Sequence, residues 1–279
     1  MRIPLEDNFE DVLSKAASGL GFDAGALAAR TGMEEARIKE VLGGKFDSGV
    51  VARLAEILDL NGPSLFELAT KAWVPDPVKL DGLAAFNTPF PVPGYEEMTV
   101  NSYLVWDPET RYAAAFDTGS DVGEMLDLIE EKSLRLGMVC LTHTHSDHIQ
   151  ALDRLMKETG QPQLYVNELE AIKGAQAFQA GTSLSIGHLQ VQTRLTRGHS
   201  PGGTTYIVSG LGKPLALVGD ALFCCSMGGA GSHYEEAREL IRKNILSLPE
   251  ETILCPGHGP MSTVGQEWQH NACFAVREQ

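Results

Sequence analysis

The feature that most constrains this 279-residue chain is a six-residue run, His143-Thr144-His145-Ser146-Asp147-His148. It follows an apolar segment with the pattern of a strand and precedes an amphipathic one with the pattern of a helix. Four metal-type ligands therefore sit on a loop where the backbone turns sharply and side chains can converge. Imidazoles and a carboxylate crowded this closely would repel once charged, and a cation resolves the conflict. Three more ligand-type residues each stand just past an expected strand. They are His199 in Arg197-Gly198-His199-Ser200-Pro201, Asp220 after the run 215–219, and His258 in Pro256-Gly257-His258-Gly259-Pro260. Alone, each would read as a turn residue. Together they lie at strand ends, where the sites of α/β sheets gather.

The surrounding pattern supplies such sheets. From Met98 onward strands and helices alternate. A hairpin is expected at 98–106 and 112–116, with further strands at 138–142, 164–166, 189–195, 204–208, 215–218 and 252–255. Helices are expected at 121–136, 149–158, 168–176 and 234–246. The first 75 residues differ, reading as five short helices with compact turns. Asn8 and Asp23 are expected caps, Gly43-Gly44 a terminator, and Ser64-Leu65-Phe66-Glu67 a capping box. Between the two regions Pro75, Pro77, Pro89, Pro91 and Pro93 predict a linker or extended wrap over 76–97. The expected organisation is thus a helical domain over 1–75, that linker, and a mixed α/β domain over 98–279.

Composition bounds the partners. The net charge is −15, which disfavours phosphate backbones and anionic lipid. No apolar run is long enough to span a bilayer, and the start of the chain lacks an apolar signal core, so a cytoplasmic protein is expected. Cys140, Cys224, Cys225, Cys255 and Cys273 are odd in number and sit mostly in apolar runs, so they are expected to be reduced and buried. The adjacent Cys224 and Cys225 are read as structural. His188, His233 and His270 match no ligand pattern.

Taken together, His-x-His-x-Asp-His, Gly-His, Gly-Asp and Pro-Gly-His-Gly-Pro resemble the metallo-β-lactamase superfamily over about residues 90–275. The resemblance implies an αββα sandwich with a dinuclear site between its sheets. It implies two divalent ions, zinc foremost, with iron or manganese as alternatives. His143, His145 and His199 would hold the first ion, and Asp147, His148 and His258 the second. Asp220 would bridge them. Asp147 would also orient the attacking hydroxide shared by the ions.

A carboxylate at Asp220 is similar to glyoxalase II-like hydrolases rather than to true β-lactamases, which carry Cys there. Leu248-Pro249-Glu250-Glu251-Thr252, Thr263-Val264-Gly265 and Asn271 resemble the short members of that group, as do the mere 21 residues after His258. Two departures stand out. Gln150 replaces a frequent Gly, and Met227-Gly228-Gly229-Ala230 replaces a segment with a basic residue. The implied activity is hydrolysis of a small thioester or ester, with glutathione thioesters disfavoured. A mononuclear iron persulfide dioxygenase is the alternative enzyme.

The helical region has its own resemblance. Leu27-Ala28-Ala29-Arg30-Thr31-Gly32, Ile38, Gly43-Gly44-Lys45 and 54–60 are similar to a Cro/phage-repressor-type helix-turn-helix. A DNA-binding regulator with a metal-bound sensor domain is therefore a third reading. Against it, residues 1–75 hold eight Lys and Arg and twelve Asp and Glu. Glu34 and Glu35 would also face phosphates at the start of the recognition helix. Self-association, giving a homo-oligomer, or packing on the second domain is the expected role.

Overall fold

The computed structural model describes residues 3–90 and 98–275. Five helices open the chain: α1 Phe9–Gly19, α2 Ala24–Thr31, α3 Glu35–Leu42, α4 Ser48–Ile57 and α5 Gly62–Thr70. Side chains close the first turns of all but α3. Asn8 N donates to Asp11 Oδ2 at 2.8 Å, and Asp23 Oδ1 accepts from Ala26 N at 2.7 Å. The cap of α5 is Asn61, not the expected Ser64: Asn61 Oδ1 accepts from Ser64 N at 2.9 Å. Asn is among the strongest caps, and Pro63 directly inside the helix needs no N–H partner.

The strands and helices that follow are β1 Leu83–Pro89, β2 Thr99–Trp106, β3 Tyr112–Phe116, α6 Gly123–Glu131, β4 Arg135–Cys140, α7 Ser146–Ile149, α8 Leu152–Glu158, β5 Gln163–Asn167, β6 Gln176–Phe178, β7 Ser183–Ile186, β8 Leu189–Leu195, β9 Thr204–Ser209, β10 Leu215–Gly219, β11 Leu222–Phe223, β12 Ser226–Met227, α9 Tyr234–Asn244, β13 Ile253–Pro256, β14 Ser262–Thr263 and α10 Val264–His270. One six-stranded sheet runs β1-β2-β3-β4-β5-β6 and a second runs β14-β13-β10-β9-β8-β7.

Four further expectations need correction. The segment expected as a linker over 76–97 contains β1, which pairs antiparallel with β2 in the register Phe86↔Ser102. Prolines bracket β1 without interrupting it, and an edge strand tolerates Pro89 at its end. Pro91 and Pro93 lie outside the described residues. The helix expected over 121–136 stops at Glu131, Ser133 takes φ 50°, and Leu136 joins β4 instead. The helix expected over 168–176 is absent. Asn167 Oδ1 accepts from Leu169 N at 3.0 Å, an Asx turn that competes with helix, and β6 follows. The helix expected over 149–158 begins only at Leu152, as α8, after the separate short α7.

Period-two alternation builds the layers. Tyr103, Val105, Ala114, Phe116 and Cys140 point between the sheets and meet Tyr206, Val208, Leu215, Leu217 and Cys255. The alternate residues Leu104, Trp106, Ala113, Ala115 and Val139 pack outward on Met125 of α6 and Leu152 and Leu155 of α8. On the other side Ala216, Val218 and Leu254 pack outward on Tyr234, Ile241 and Val264 of α9 and α10. Two sheets thus lie face to face between helical layers, in a mixed α/β fold.

The N-terminal helices extend the second helical layer. Leu13, Leu27, Ile38, Leu54 and Leu65 belong to the same apolar cluster as Ala216, Val218 and Ile241. Polar contacts cross the same seam. Asn61 N donates to Ala272 O at 2.7 Å, and Arg238 Nη2 donates to Asp59 Oδ2 at 2.9 Å. His270 stacks on Trp73 at 3.9 Å and meets Glu67 Oε2 at 2.7 Å. All five cysteines are free and buried. No helix among the described residues is long and apolar enough to cross a membrane.

Candidate metal centre

One edge of the sandwich collects every ligand-type residue singled out by the sequence. His143 follows β4. His145 precedes α7, which carries Asp147 and His148. His199 sits in the β8–β9 loop, Asp220 directly after β10, and His258 after β13. β10 and β13 are parallel, so their C-terminal ends open side by side.

The seven side chains form two groups joined by Asp220. His143, His145 and His199 have ligand atoms within 4.8 Å of one another, as do Asp147, His148 and His258. Asp220 Oδ2 stands 3.3 Å from both His199 Nε2 and His258 Nε2, and Oδ1 stands 3.3 Å from His148 Nε2. Asp147 Oδ2 lies 3.3 Å from His258 Nε2 and 3.4 Å from His148 Nε2.

Outer partners decide which ring nitrogen faces inward. His143 Nδ1 meets Thr142 Oγ1 at 3.1 Å, and His148 Nδ1 meets Asp117 Oδ2 at 2.9 Å. His199 Nδ1 meets Gly229 O at 3.0 Å, and His258 Nδ1 meets Thr99 O at 2.7 Å. Each of these rings therefore turns Nε2 to the centre. His145 is the exception and turns Nδ1 inward, 3.0 Å from His143 Nε2 and 2.9 Å from His199 Nε2. Fixing the ring and tautomer through its far nitrogen is how proteins prepare an imidazole to bind metal.

The residues fit a cation. His148 Nε2 and Asp220 Oδ1 are buried without a hydrogen-bond partner, since their 3.3 Å approach is poorly aligned for one. Two such polar atoms aimed into one space would be costly unless something else binds there. The backbone also makes room. A Cβ on Gly257 would run into Asp220 Oδ1 and His148 Cε1. The charges are strongly coupled. Burial opposes ionisation of Asp220, but His258 and His148 hold its carboxyl well below the usual range. Burial likewise opposes charge on His148, yet Asp220 and Asp117 push it up to about 10. On the other group, burial lowers His143 and His199.

Several supporting residues escaped the sequence reading. Asp117 takes φ 56°, and its Oδ1 and Oδ2 accept from Thr142 N at 2.8 Å and Thr142 Oγ1 at 2.7 Å. Its place at the end of β3, in Asp117-Thr118-Gly119, is the strand-end signal that marked His199, Asp220 and His258. Glu170 accepts from Thr144 N, Thr144 Oγ1 and Gly202 N at 3.2, 2.7 and 2.9 Å, tying the His145 and His199 loops together. Asn101 Nδ2 donates to Pro256 O at 3.0 Å and Gly259 O at 2.7 Å, pinning the loop of His258. Lys15 reaches Met227 O at 3.1 Å from α1, beside the segment that lacks a basic residue. Its charge is committed to Asp7, at 2.8 and 2.6 Å. The remaining histidines stay apart: exposed His188 and His233 approach Asp107 and Glu236 at 3.3 and 3.5 Å.

Known proteins resemble this chain. The metallo-beta-lactamase superfamily pattern matches residues 95–258. A probable metallo-hydrolase of Bacillus subtilis, YqgX, is 31% identical over 56% of this chain and 84% of its own. The hydroxyacylglutathione hydrolase GloC of Haemophilus influenzae is 30% identical over 65% of this chain and 94% of its own. Among solved structures, ETHE1 from Myxococcus xanthus superposes with a TM-score of 0.55 at 26% identity, covering 62% of this chain and 80% of its own. The chain belongs to the metallo-beta-lactamase superfamily, with glyoxalase II-like homologues, and is an enzyme of that fold.

Proposed function

We propose that the chain is a metal-dependent hydrolase of a small thioester or ester, with two divalent ions, zinc foremost. His143, His145 and His199 would hold one ion and Asp147, His148 and His258 the other, with Asp220 shared between the two groups. The observation that carries this reading is Asp220, whose two oxygens reach into both groups of ligands. Imidazole with carboxylate suits zinc, and also iron or manganese. When bound, such ions supply Lewis acidity toward an acyl oxygen and toward water.

The chain's own side chains do the rest. His258 holds the Asp147 carboxyl below its usual range against the cost of burial. Asp147 is therefore a carboxylate at neutral pH, able to accept a hydrogen bond from the attacking water and orient it. A thiolate leaves without much proton assistance, which suits a centre whose described groups include no evident general acid. The test is elemental analysis of freshly purified protein beside a panel of thioesters and lactones. About two ions per chain and turnover of an acyl substrate are expected. A chain that takes up no metal when supplied with zinc, iron and manganese overturns the reading.

S-Lactoylglutathione is expected to be a poor substrate, although GloC bears a glutathione hydrolase's name. Met227-Gly228-Gly229-Ala230 offers no cation for a substrate carboxylate, and Lys15 beside it is paired with Asp7. Losing such a contact costs about 1.5–3 kcal/mol, roughly ten- to a hundredfold in affinity. A kcat/KM near about 10⁶ M⁻¹s⁻¹ on this thioester contradicts the proposal. The likeness to ETHE1, which in Homo sapiens is named a persulfide dioxygenase, supports a second reading, a mononuclear iron persulfide dioxygenase. One iron per chain with oxygen uptake on a persulfide would favour it.

For the N-terminal helices, the proposal is a helix-turn-helix-like unit that packs on the catalytic sandwich or mediates self-association, without reading DNA. α3 would be the recognition helix. Its Arg37 is paired with Asp47 and its Lys39 with Glu35, which leaves few charges for phosphates. Nanomolar, sequence-specific binding in a gel-shift assay at physiological salt overturns this.

A further inference from the structure

The superfamily match begins at residue 95, yet the chain's first described residues lie against the metal centre. A Cβ on Gly259 would stand 3.2 Å from Glu6 N and 3.7 Å from Pro4 O. The N-terminal segment is thus laid along the loop that carries His258. Neighbouring contacts hold it there. Asp7 pairs with Lys15 at 2.6 Å, and Lys15 donates to Met227 O. Lys15 Nζ also lies 5.0 Å over the Phe223 ring, which meets the His258 ring edge-on at 5.6 Å.

In this setting Glu6 Oε2 stands 4.0 Å from His258 Nδ1, with its side chain only 14% exposed. The geometry of His258 fixes what the carboxylate meets. Nδ1 faces the carbonyl oxygen of Thr99 at 2.7 Å, and a carbonyl can only accept. Nδ1 therefore carries a hydrogen, while Nε2 faces Asp147 and Asp220. Glu6 is on the outer side of the ring, beside the N–H. His148 has the closer version of this arrangement, with Asp117 at 2.9 Å.

We propose that Glu6 is a positioning residue for the metal centre, supplied by the N-terminal segment from outside the superfamily region. Its carboxylate favours the Nδ1–H form of His258 and strengthens Nε2 as a donor to the second ion. At 4.0 Å the interaction is electrostatic rather than a hydrogen bond, so its effect belongs at the low end of the range for outer partners of metal-bound histidine. The inference rests on the two-metal reading above.

The test compares full-length wild type, Glu6→Gln and Glu6→Asp. Zinc affinity is measured by chelator competition, and Co²⁺ loading is followed by its visible absorption. Melting of the metal-free proteins reports the fold. Wild type should take two ions. Glu6→Gln should bind one as wild type does and the other about tenfold more weakly. Its cobalt band should be altered while its metal-free melting is unchanged. Glu6→Asp, which keeps the charge, should recover much of the affinity. Unchanged affinities and cobalt spectrum in Glu6→Gln overturn the role of Glu6. So does weakening accompanied by a lowered metal-free melting point and matched by Glu6→Asp, which marks a packing role. Wild type that takes no second ion removes the two-metal reading itself, and this inference with it.

Discussion

The two groups of ligand-type residues share Asp220 but are held differently. Asp147, His148 and His258 are all buried. A carboxylate backs His148, and a pinned loop carries His258. In the other group His143 is buried, His199 half-buried and His145 exposed. Its outer partners are neutral, a hydroxyl for His143 and a carbonyl for His199. The difference teaches where each ion would be fixed and where it would be reached. The buried group is preset by charge and by backbone, whereas the open group faces solvent and leaves room for substrate.

The largest expected effect is the loss of what the groups share. Asp220→Ala should remove both ions and lower kcat/KM by about a thousandfold or more, as losing several kcal/mol of Lewis-acid stabilisation requires. Retention of one tightly held ion, seen by elemental analysis, would mean the groups are independent. Gly257→Ala comes next, because its Cβ displaces Asp220 and His148 together. A misplacement of about 1 Å costs roughly a hundredfold in rate, so steady-state kinetics should show a drop of that order, with the ion of the buried group lost first.

Asp117→Asn sharpens the comparison by touching His148 directly and His143 only through Thr142. Chelator competition should show about ten- to a hundredfold weaker binding of one ion and little change in the other. Equal weakening of both would erase the distinction. Glu170→Ala is the counterpart on the open side. It strands donors from Thr144 and Gly202, and a stability loss of about 1.5–3 kcal/mol is expected in denaturant unfolding, with the His145 and His199 side weakened.

The smallest effect lies away from both groups. Asp107 accepts from His188 N, Thr110 Oγ1 and Glu109 N, and the His188 N–H leads in lowering its carboxyl from 3.8 to about 2. A depressed carboxyl stabilises the fold above its unfolded pKa, and that share is lost as pH falls from about 4 to 2. Asp107→Asn should flatten this part of the acid-unfolding curve without changing metal content.

The ligand-type residues were legible because their signal is local and chemically dense. Four lie within six residues, and the other three follow runs that can only be strands. The five N-terminal helices were legible for a similar reason, since Asn8 and Asp23 announce their starts. What escaped depends on distant partners. β1 exists because β2 offers it an edge, which a proline count cannot show. Lys15 meets Met227 across 212 residues of sequence, and nothing near either position announces the other. Glu170 looked like a helical residue, because the Asx turn at Asn167 competes with helix only through one side-chain oxygen.

The apolar cluster shared by the first five helices and the second sheet sets an order of events during synthesis. α1 to α5 are made before Tyr234 and Ile241 of α9 and Val264 of α10, which share their apolar cluster. At about 5–20 residues per second, some 200 residues of delay leave those helices waiting roughly 10–40 s for their partners. Through that interval Leu13, Leu54 and Leu65 have only the other residues of the same helices for cover. The yield of folded enzyme should therefore respond to translation speed and to chaperones that shelter nascent apolar helices, even where the finished protein is stable.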